Sequence, residues 1–299
     1  MGVRELIHSG FGLGKLGITN SLNKLPFDTR EARILAIFGT MSVTKYQLPS
    51  GKRIYFASDL HLGAPTASKS AEREKRFCTW LQTIRKDAEA VYLVGDLFDF
   101  WFEYKRAVPK GFVRVLGKLA ELHDQGISLH FFTGNHDLWM RDYLSQEIGF
   151  QIHTKPMVHV WGDKTFYIGH GDGIGPGDTG YKIIKRVFTF KPFQWAYRWV
   201  HPDVGIALAS WLSKGSRART GHEDYAMKDV REEALYRYAL EMGKTLKADY
   251  WLFGHRHFPV LTDLETTGSK FCNLGDWIQW NSWADFDGKT LTLHLPNPA

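Results

Sequence analysis

The stretch Val91–Asp99, VYLVGDLFD, sets the reading of this chain, because it delivers a carboxylate, Asp96, from the end of an apolar run. Val91 to Val94 has the length and composition of a central strand, and Gly95 lets the backbone turn without a Cβ penalty. Open α/β sheets keep their chemistry at the carboxyl ends of strands, and Asp96 would lie at such an end. Taken alone, an aspartate there is as readily a helix cap or turn former. The weight comes from four further polar clusters that also follow apolar runs: Asp59/His61, Asn135/His136/Asp137, His170 and His255/His257.

With 299 residues, 43% hydrophobic and 14% aromatic, the chain has ample material for a packed core. Cys78 and Cys272 are too few for a disulfide framework and lack metal-ligand spacing, so no cysteine chemistry is expected. There is no signal-peptide core, and no segment approaches the roughly 18 apolar residues of a spanning helix, so a cytoplasmic protein is expected. A net charge of +6 admits an anionic partner without choosing one. The charge is concentrated: Tyr181 to Arg219 holds eight Lys/Arg, one acid (Asp203) and eight aromatics.

In chain order, residues 1–40 show no strong periodicity and read as a poorly ordered extension, with Met41 an alternative start. Pro49-Ser50-Gly51 signals a hairpin into a strand at Ile54–Ser58, and a helical pattern follows over Ala71–Lys86. After the organising strand come a helix over Gly111–Asp124 and a strand over Ile127–Phe132, a rhythm that implies right-handed crossovers and a partly parallel sheet. Gly162-Asp163 joins strands at Pro156–Trp161 and Thr165–Gly169. Tyr181–Leu212 reads as short helices broken at Pro192 and Pro202, then a longer helix over Glu223–Lys244 leads to a strand at Tyr250–Phe253. Val260–Leu295 suits an antiparallel edge.

Carboxylate, imidazole and amide oxygen together are the donor set of borderline divalent ions such as Mn, Fe or Zn, and the lack of cysteine argues against a structural zinc site. A carboxylate able to bridge two cations suits a two-metal centre that activates water for an in-line displacement at phosphorus. His136 would then stabilise charge or protonate a leaving oxygen, with Asp137 fixing its tautomer.

The order DLH, GDLFD, GNHD, GH, GHRH over about Ile54 to Asp276 resembles the calcineurin-like metallophosphoesterase superfamily. The resemblance implies a four-layer α/β/β/α sandwich. It implies one metal on Asp59, His61, Asp96 and His257, and a second on Asp96, Asn135, His170 and His255, most readily Mn2+. Residues 41–178 and 223–299 would form the metallophosphoesterase domain and 179–222 an inserted helical lid.

GDLFDFW with Trp101, HGDGIGPGDTGYK with Tyr181, and NLGDW at Asn273–Trp277 are similar to the UDP-2,3-diacylglucosamine pyrophosphohydrolase family of lipid A biosynthesis. That resemblance implies cleavage of the substrate to UMP and 2,3-diacylglucosamine 1-phosphate. It also implies peripheral attachment to the anionic cytoplasmic face of the inner membrane and no nucleic-acid partner. Catalytic roles fall to His136 and Asp137, and substrate contacts to Trp101, Asn135, His136, Tyr181, Lys214 and Arg217. Some members carry arginine at the place of His136, so a charge-stabilising role carries over more safely than proton transfer. In the lid, residues such as Val187, Phe188, Trp195, Trp199 and Leu208 would meet acyl chains, and Lys185, Arg186 and Arg198 the anionic groups. An ordinary buried helical hairpin is the plainer alternative. Another phosphodiester, in a nucleotide or nucleic acid, and a non-catalytic scaffold of the same fold stay open as alternatives.

Overall fold

A computed structural model describes residues 43–174, 185–209, 211, 229–265 and 268–296. The proposed extension, and much of the segment expected as a lid, lie outside these residues. The organising stretch forms β3 (Ala88–Val94), and its side chains alternate between two apolar layers. Val91 and Leu93 face the layer beneath the helices α1 (Ala67–Ile84) and α2 (Val113–Asp124), while Tyr92 and Val94 face a second sheet. A strand buried on both faces reads as a continuous apolar run, which is why periodicity alone could not orient it.

β3 lies in a six-stranded sheet with β2 (Arg53–Ala57), β4 (Ser128–Phe132), β5 (Gln151–His153), β11 (Trp283–Phe286) and β12 (Leu291–His294), in the order β12-β11-β2-β3-β4-β5. The second sheet has the order β1-β6-β7-β8-β10-β9, from β1 (Val43–Tyr46), β6 (Met157–Trp161), β7 (Lys164–Ile168), β8 (Tyr250–Phe253), β9 (Val260–Leu264) and β10 (Ser269–Asn273). Its outer face carries the helix Ala234–Met242 through Leu235, Tyr236 and Ala239 against Trp251, Phe253 and Phe271. Three apolar layers between four layers of structure make the α/β/β/α sandwich that the motif order implies. β2-β3-β4 and β7-β8 are parallel neighbours in their sheets, and the polar clusters follow their carboxyl ends.

Two local expectations need correction. Pro49-Ser50-Gly51 does turn the chain, with Lys52 N donating to the Pro49 carbonyl, yet β1 pairs parallel with β6 in the other sheet instead of returning along β2. Tyr46 stacks on Trp161 at 4.4 Å, and burying that aromatic pair outweighs the local hairpin. The helix expected over Glu223–Lys244 is described only as Ala234–Met242, because Asp229 and Glu233 are extended and flank a single 3-10 turn. The helical run is broken near Pro192 as expected: helix ends at 188, and Pro192 sits in the first turn of α3 (Lys191–Tyr197), where its missing N–H costs nothing.

Between the sheets, His130, His153 and His159 form a triangle of imidazoles with ring centroids 5.2–5.5 Å apart, walled by Tyr46, Tyr92, Phe132 and Trp161. Tyr92 hydroxyl meets His159 Nδ1 at 2.7 Å, and His130 Nδ1 meets His153 Nε2 at 3.2 Å. Burial pushes His130, His159 and His153 down from 6.5 to about 2, 3 and 4, helped at the first two by the neighbouring imidazoles. Above 6.5 each is neutral folded or unfolded. Below it the unfolded chain takes up protons that the fold refuses, so stability is lost as pH falls toward 4. Replacing His153 by Phe should therefore flatten the fall of the urea midpoint between pH 6.5 and 4.5 relative to the unaltered chain. An unchanged slope would remove the triangle as the source.

Candidate metal centre

The loops after β2, β3, β4, β7 and β8 bring Asp59, His61, Asp96, Asn135, His170, His255 and His257 to one edge of the sandwich. On one side, Asp59 Oδ1 stands 3.4 Å from His257 Nε2 and 3.6 Å from His61 Nε2, and the two ring nitrogens are 3.2 Å apart. On the other, Asn135 Oδ1 lies 3.1 Å from His255 Nδ1 and 3.3 Å from His170 Nε2. Asp96 Oδ2 lies between, 3.7 Å from His61 Nε2 and 3.3 Å from His170 Nε2. Asp59 Oδ1 is buried and accepts no hydrogen bond among the described residues. A buried, unpartnered carboxylate oxygen facing two imidazole nitrogens fits a divalent cation, and the shared Asp96 fits two.

The local backbone is shaped around these donors. Asp59, His61, Asp96 and His255 all have left-handed φ, from 44° to 66°, a conformation that non-glycine residues adopt at a cost. The glycines of the motifs supply room. A Cβ at Gly134 would overlap the Asp96 carboxylate, and one at Gly254 would strike Ser58 and Asp59.

A further set of contacts orients the donors. His170 Nδ1–H donates to the Val94 carbonyl at 2.8 Å, which turns Nε2 toward Asp96 and Asn135. His257 Nδ1 lies 3.5 Å from Asp276 Oδ2, and His61 Nδ1 3.7 Å from Asp99 Oδ1. Asp59 Oδ2 accepts from Ser58 Oγ at 2.5 Å and from the His255 amide at 2.9 Å. Buried Arg73, on α1, donates to the carbonyls of His61 and Ala64. Ser58, Arg73, Asp99 and Asp276 have no site role in the sequence reading. Asp99 and Asp276 fall within GDLFD and NLGDW and are legible there, whereas Arg73 carries no signal within its helical pattern.

Burial opposes charge here, and the mixture of signs overcomes it. Asp59 and Asp96 are penalised by burial, yet the facing imidazoles, His257, His61 and His170 at Asp59 and His170, His136 and His61 at Asp96, hold both carboxyls well below the usual range. Burial would depress His61, but Asp59 and Asp99 raise it to about 10. His255 goes the other way, pushed down to about 4 by burial and by His170. The carboxylates thus draw positive charge to the edge.

His136 is close at hand: its ring meets His61 edge-on at 4.7 Å, its amide donates to Asp96 Oδ1 at 2.9 Å, and its Nδ1–H donates to the Asp99 carbonyl at 2.9 Å. Its tautomer is therefore set by Asp99 where Asp137 was expected. Asp137 instead accepts from the Leu97 and Gly134 amides at 2.9 and 2.7 Å, tying the β3 loop to the β4 loop. Burial, and then Asp96, push it up to about 8. Trp101, expected against substrate, is a core residue: it is 1% exposed, stacks on Phe98 at 4.2 Å and donates to Glu103. Tyr181, Lys214 and Arg217 lie outside the described residues.

Residues 52–259 match the family model described as calcineurin-like phosphoesterase. A UDP-2,3-diacylglucosamine hydrolase of Porphyromonas gingivalis is 39% identical over 254 residues, covering 81% of this chain and 96% of that one. One of Shewanella piezotolerans is 27% identical, covering 77% and 92%. Among solved structures, a Vps29 from Entamoeba histolytica aligns at 14% identity with a TM-score of 0.39, covering 81% of this chain and 89% of that one.

The glycine positions give a sharp test of the geometry. Gly134→Ala should leave the far-ultraviolet spectrum unchanged while cutting bound divalent metal by at least one ion per chain, measured by elemental analysis after dialysis. Full metal content would show that the Asp96 approach is not needed.

Proposed function

This chain belongs to the calcineurin-like phosphoesterase family, and from that premise we propose that it hydrolyses the diphosphate of UDP-2,3-diacylglucosamine to UMP and 2,3-diacylglucosamine 1-phosphate. The observation that carries the reading is a complete two-site donor set beside an apolar, cationic segment, in a chain whose relatives bear that hydrolase name. Asp59, His61, Asp96 and His257 would hold one ion and Asp96, Asn135, His170 and His255 the other. Divalent cations bound there would activate water and neutralise phosphoryl oxygens. Manganese is the ion we favour among the borderline ions that a nitrogen and oxygen donor set without thiolate admits.

His136 supplies what the donors do not. With Nδ1–H given to the Asp99 carbonyl, Nε2 is free of a proton in the neutral ring, and burial lowers the pKa further despite Asp96. An arriving diphosphate adds negative charge beside the ring and favours its protonation. The departing sugar phosphate has a second pKa near about 6, so it leaves as an anion and needs charge neutralisation more than a proton. That is the role assigned to His136. Asp137 acts on the backbone, holding the two loops that present Asp96 and Asn135.

The segment 185–209 has two faces. Phe188, Phe193 and Tyr197 pack inward on Phe102, Tyr104 and Trp139, while Phe190, Trp195, Trp199 and Leu208 point outward and are 47–77% exposed. Trp195 and Trp199 are four apart on the same side, with ring centroids 6.1 Å apart, and Lys191 and Arg198 flank them. We assign this outer face to the acyl chains and to an anionic lipid surface, the inner-membrane face in the cytoplasm. Among the described residues no helix is long and apolar enough to cross a membrane, consistent with attachment from one side.

Incubating the Mn2+-loaded protein with UDP-2,3-diacylglucosamine should yield UMP and the diacylated sugar 1-phosphate by mass spectrometry; turnover of an aryl phosphodiester alone would reject the lipid substrate. His136→Ala should lower kcat by about 100-fold with two ions still bound, whereas loss of an ion would make His136 a metal ligand. Trp195→Asp with Trp199→Asp should weaken use of the lipid substrate and co-sedimentation with anionic vesicles while sparing a soluble phosphodiester. Equal losses on both substrates would point to a folding defect.

A further inference from the structure

The loops that carry the donors Asn135 and His170 also hold the segment 185–209. Trp139, four residues after Asn135, donates its indole N–H to the Phe188 carbonyl at 2.7 Å, and its ring packs edge-on against Phe188 and Tyr197. Buried Asp172, two residues after His170, pairs with Lys185 at 2.5 Å. Arg256, between His255 of this site and His257 of the other, is gripped by both oxygens of Glu233 outside the segment, with Nε–Oε2 at 3.1 Å and Nη2–Oε1 at 3.2 Å, a contact common to both sites. The other site is held differently. Asp59 and His61 take their support from Ser58 and from Arg73 on α1, inside the sandwich.

We propose that docking of the segment 185–209 and filling of the Asn135/His170/His255 site are thermodynamically coupled, with Trp139 and Lys185 as positioning residues. Each anchor is within four residues of a donor, on a loop rather than a strand, so a shift of the segment moves the donor directly. A cation tolerates donor displacements of only about 0.2 Å. An ion in this site therefore fixes the loops on which the segment rests, and a docked segment presets the donors. Linkage makes the effect equal in both directions. Under the reading of function above, on which this consequence rests, a substrate whose acyl chains engage the segment completes the second site as it binds. Ground-state protein without lipid would hold its second ion less tightly, which limits hydrolysis of phosphodiesters that lack the apolar part.

The test needs no substrate, so it stands or falls apart from the identity of the phosphoester. Mn2+ affinity and stoichiometry are measured on the full chain by equilibrium dialysis with elemental analysis, and hydrogen exchange over residues 185–209 is followed with and without Mn2+. The unaltered chain should bind two ions, and Mn2+ should slow exchange over 185–209. Trp139→Phe and Lys185→Met should each weaken the second ion, by about tenfold for an ordinary coupling between sites, and leave the first within twofold. Asn135→Ala, reduced to one ion, should lose the protection of 185–209. Trp139→Phe is a core change, so the partly exposed Lys185 carries the test if that variant fails to fold. Wild-type affinity for both ions in the Lys185 variant, equal weakening of both ions, or exchange insensitive to Mn2+ would each overturn the coupling.

Discussion

The edge depends on Asp96, whose two carboxylate oxygens are committed in different directions. Oδ1 accepts the His136 amide and so ties the β3 loop to the β4 loop, while Oδ2 faces His61 on one side and His170 on the other. Both tasks are possible only because the backbone at Asp96 is left-handed and Gly134 has no side chain to fill the carboxylate's place. His61 comes from one sheet and His170 from the other, so a single carboxylate joins the two halves of the sandwich at their functional edge. Moving it by the width of a methyl group would separate the donor clusters.

Much of this was legible in the sequence because it rests on local rules. Apolar runs ending in Gly-Asp, Gly-Asn or Gly-His name both the strand and the turn after it, and the parallel rhythm brings such turns to one edge. Strand Tyr250–Phe253 and the Gly162-Asp163 turn lie where periodicity puts them. What stayed hidden depends on long-range partners. Trp101 follows a motif and so invites a substrate role, but buried Glu103 takes its N–H and Phe98 its face. Asp137 looks like the natural partner of the adjacent His136, yet amides from two loops claim it and Asp99, on another loop, orients the ring. β1 left its hairpin for the same reason: the pairing that buries Tyr46 against Trp161 is invisible to a local reading.

The segment 185–209 shows how one stretch serves two environments. At helical spacing, Phe193 and Tyr197 fall on one side and Trp195 and Trp199 on the other. Composition alone shows six aromatics in this segment and cannot say which of them are spent on docking. The inward rings bury themselves on Phe102 and Trp139, worth roughly 1.5–3 kcal/mol for each fully covered side chain. The outward rings gain nothing from the fold, and exposed apolar surface on that scale is the mark of a partner. The buried-hairpin reading therefore describes the inward half, and the outward half is the surface left for the proposed acyl contact.

A scaffold that used the fold only for binding would have no reason to keep the edge as it is. Asp59 and Asp96 are almost wholly buried, and their charges are compensated by imidazoles that burial would otherwise hold neutral. Replacing such buried ionic groups with apolar ones of similar volume is commonly neutral or stabilising. The edge also carries four left-handed residues, each costing of order 1 kcal/mol or more. None of this improves packing, since the three apolar layers are complete without it. Cations in the place of the protons on His61 and His170 would make the buried carboxylates and ring nitrogens donors, with the strained backbone aiming them. An edge that packing does not require is accounted for by the divalent-ion chemistry of the phosphoesterase family to which the chain belongs.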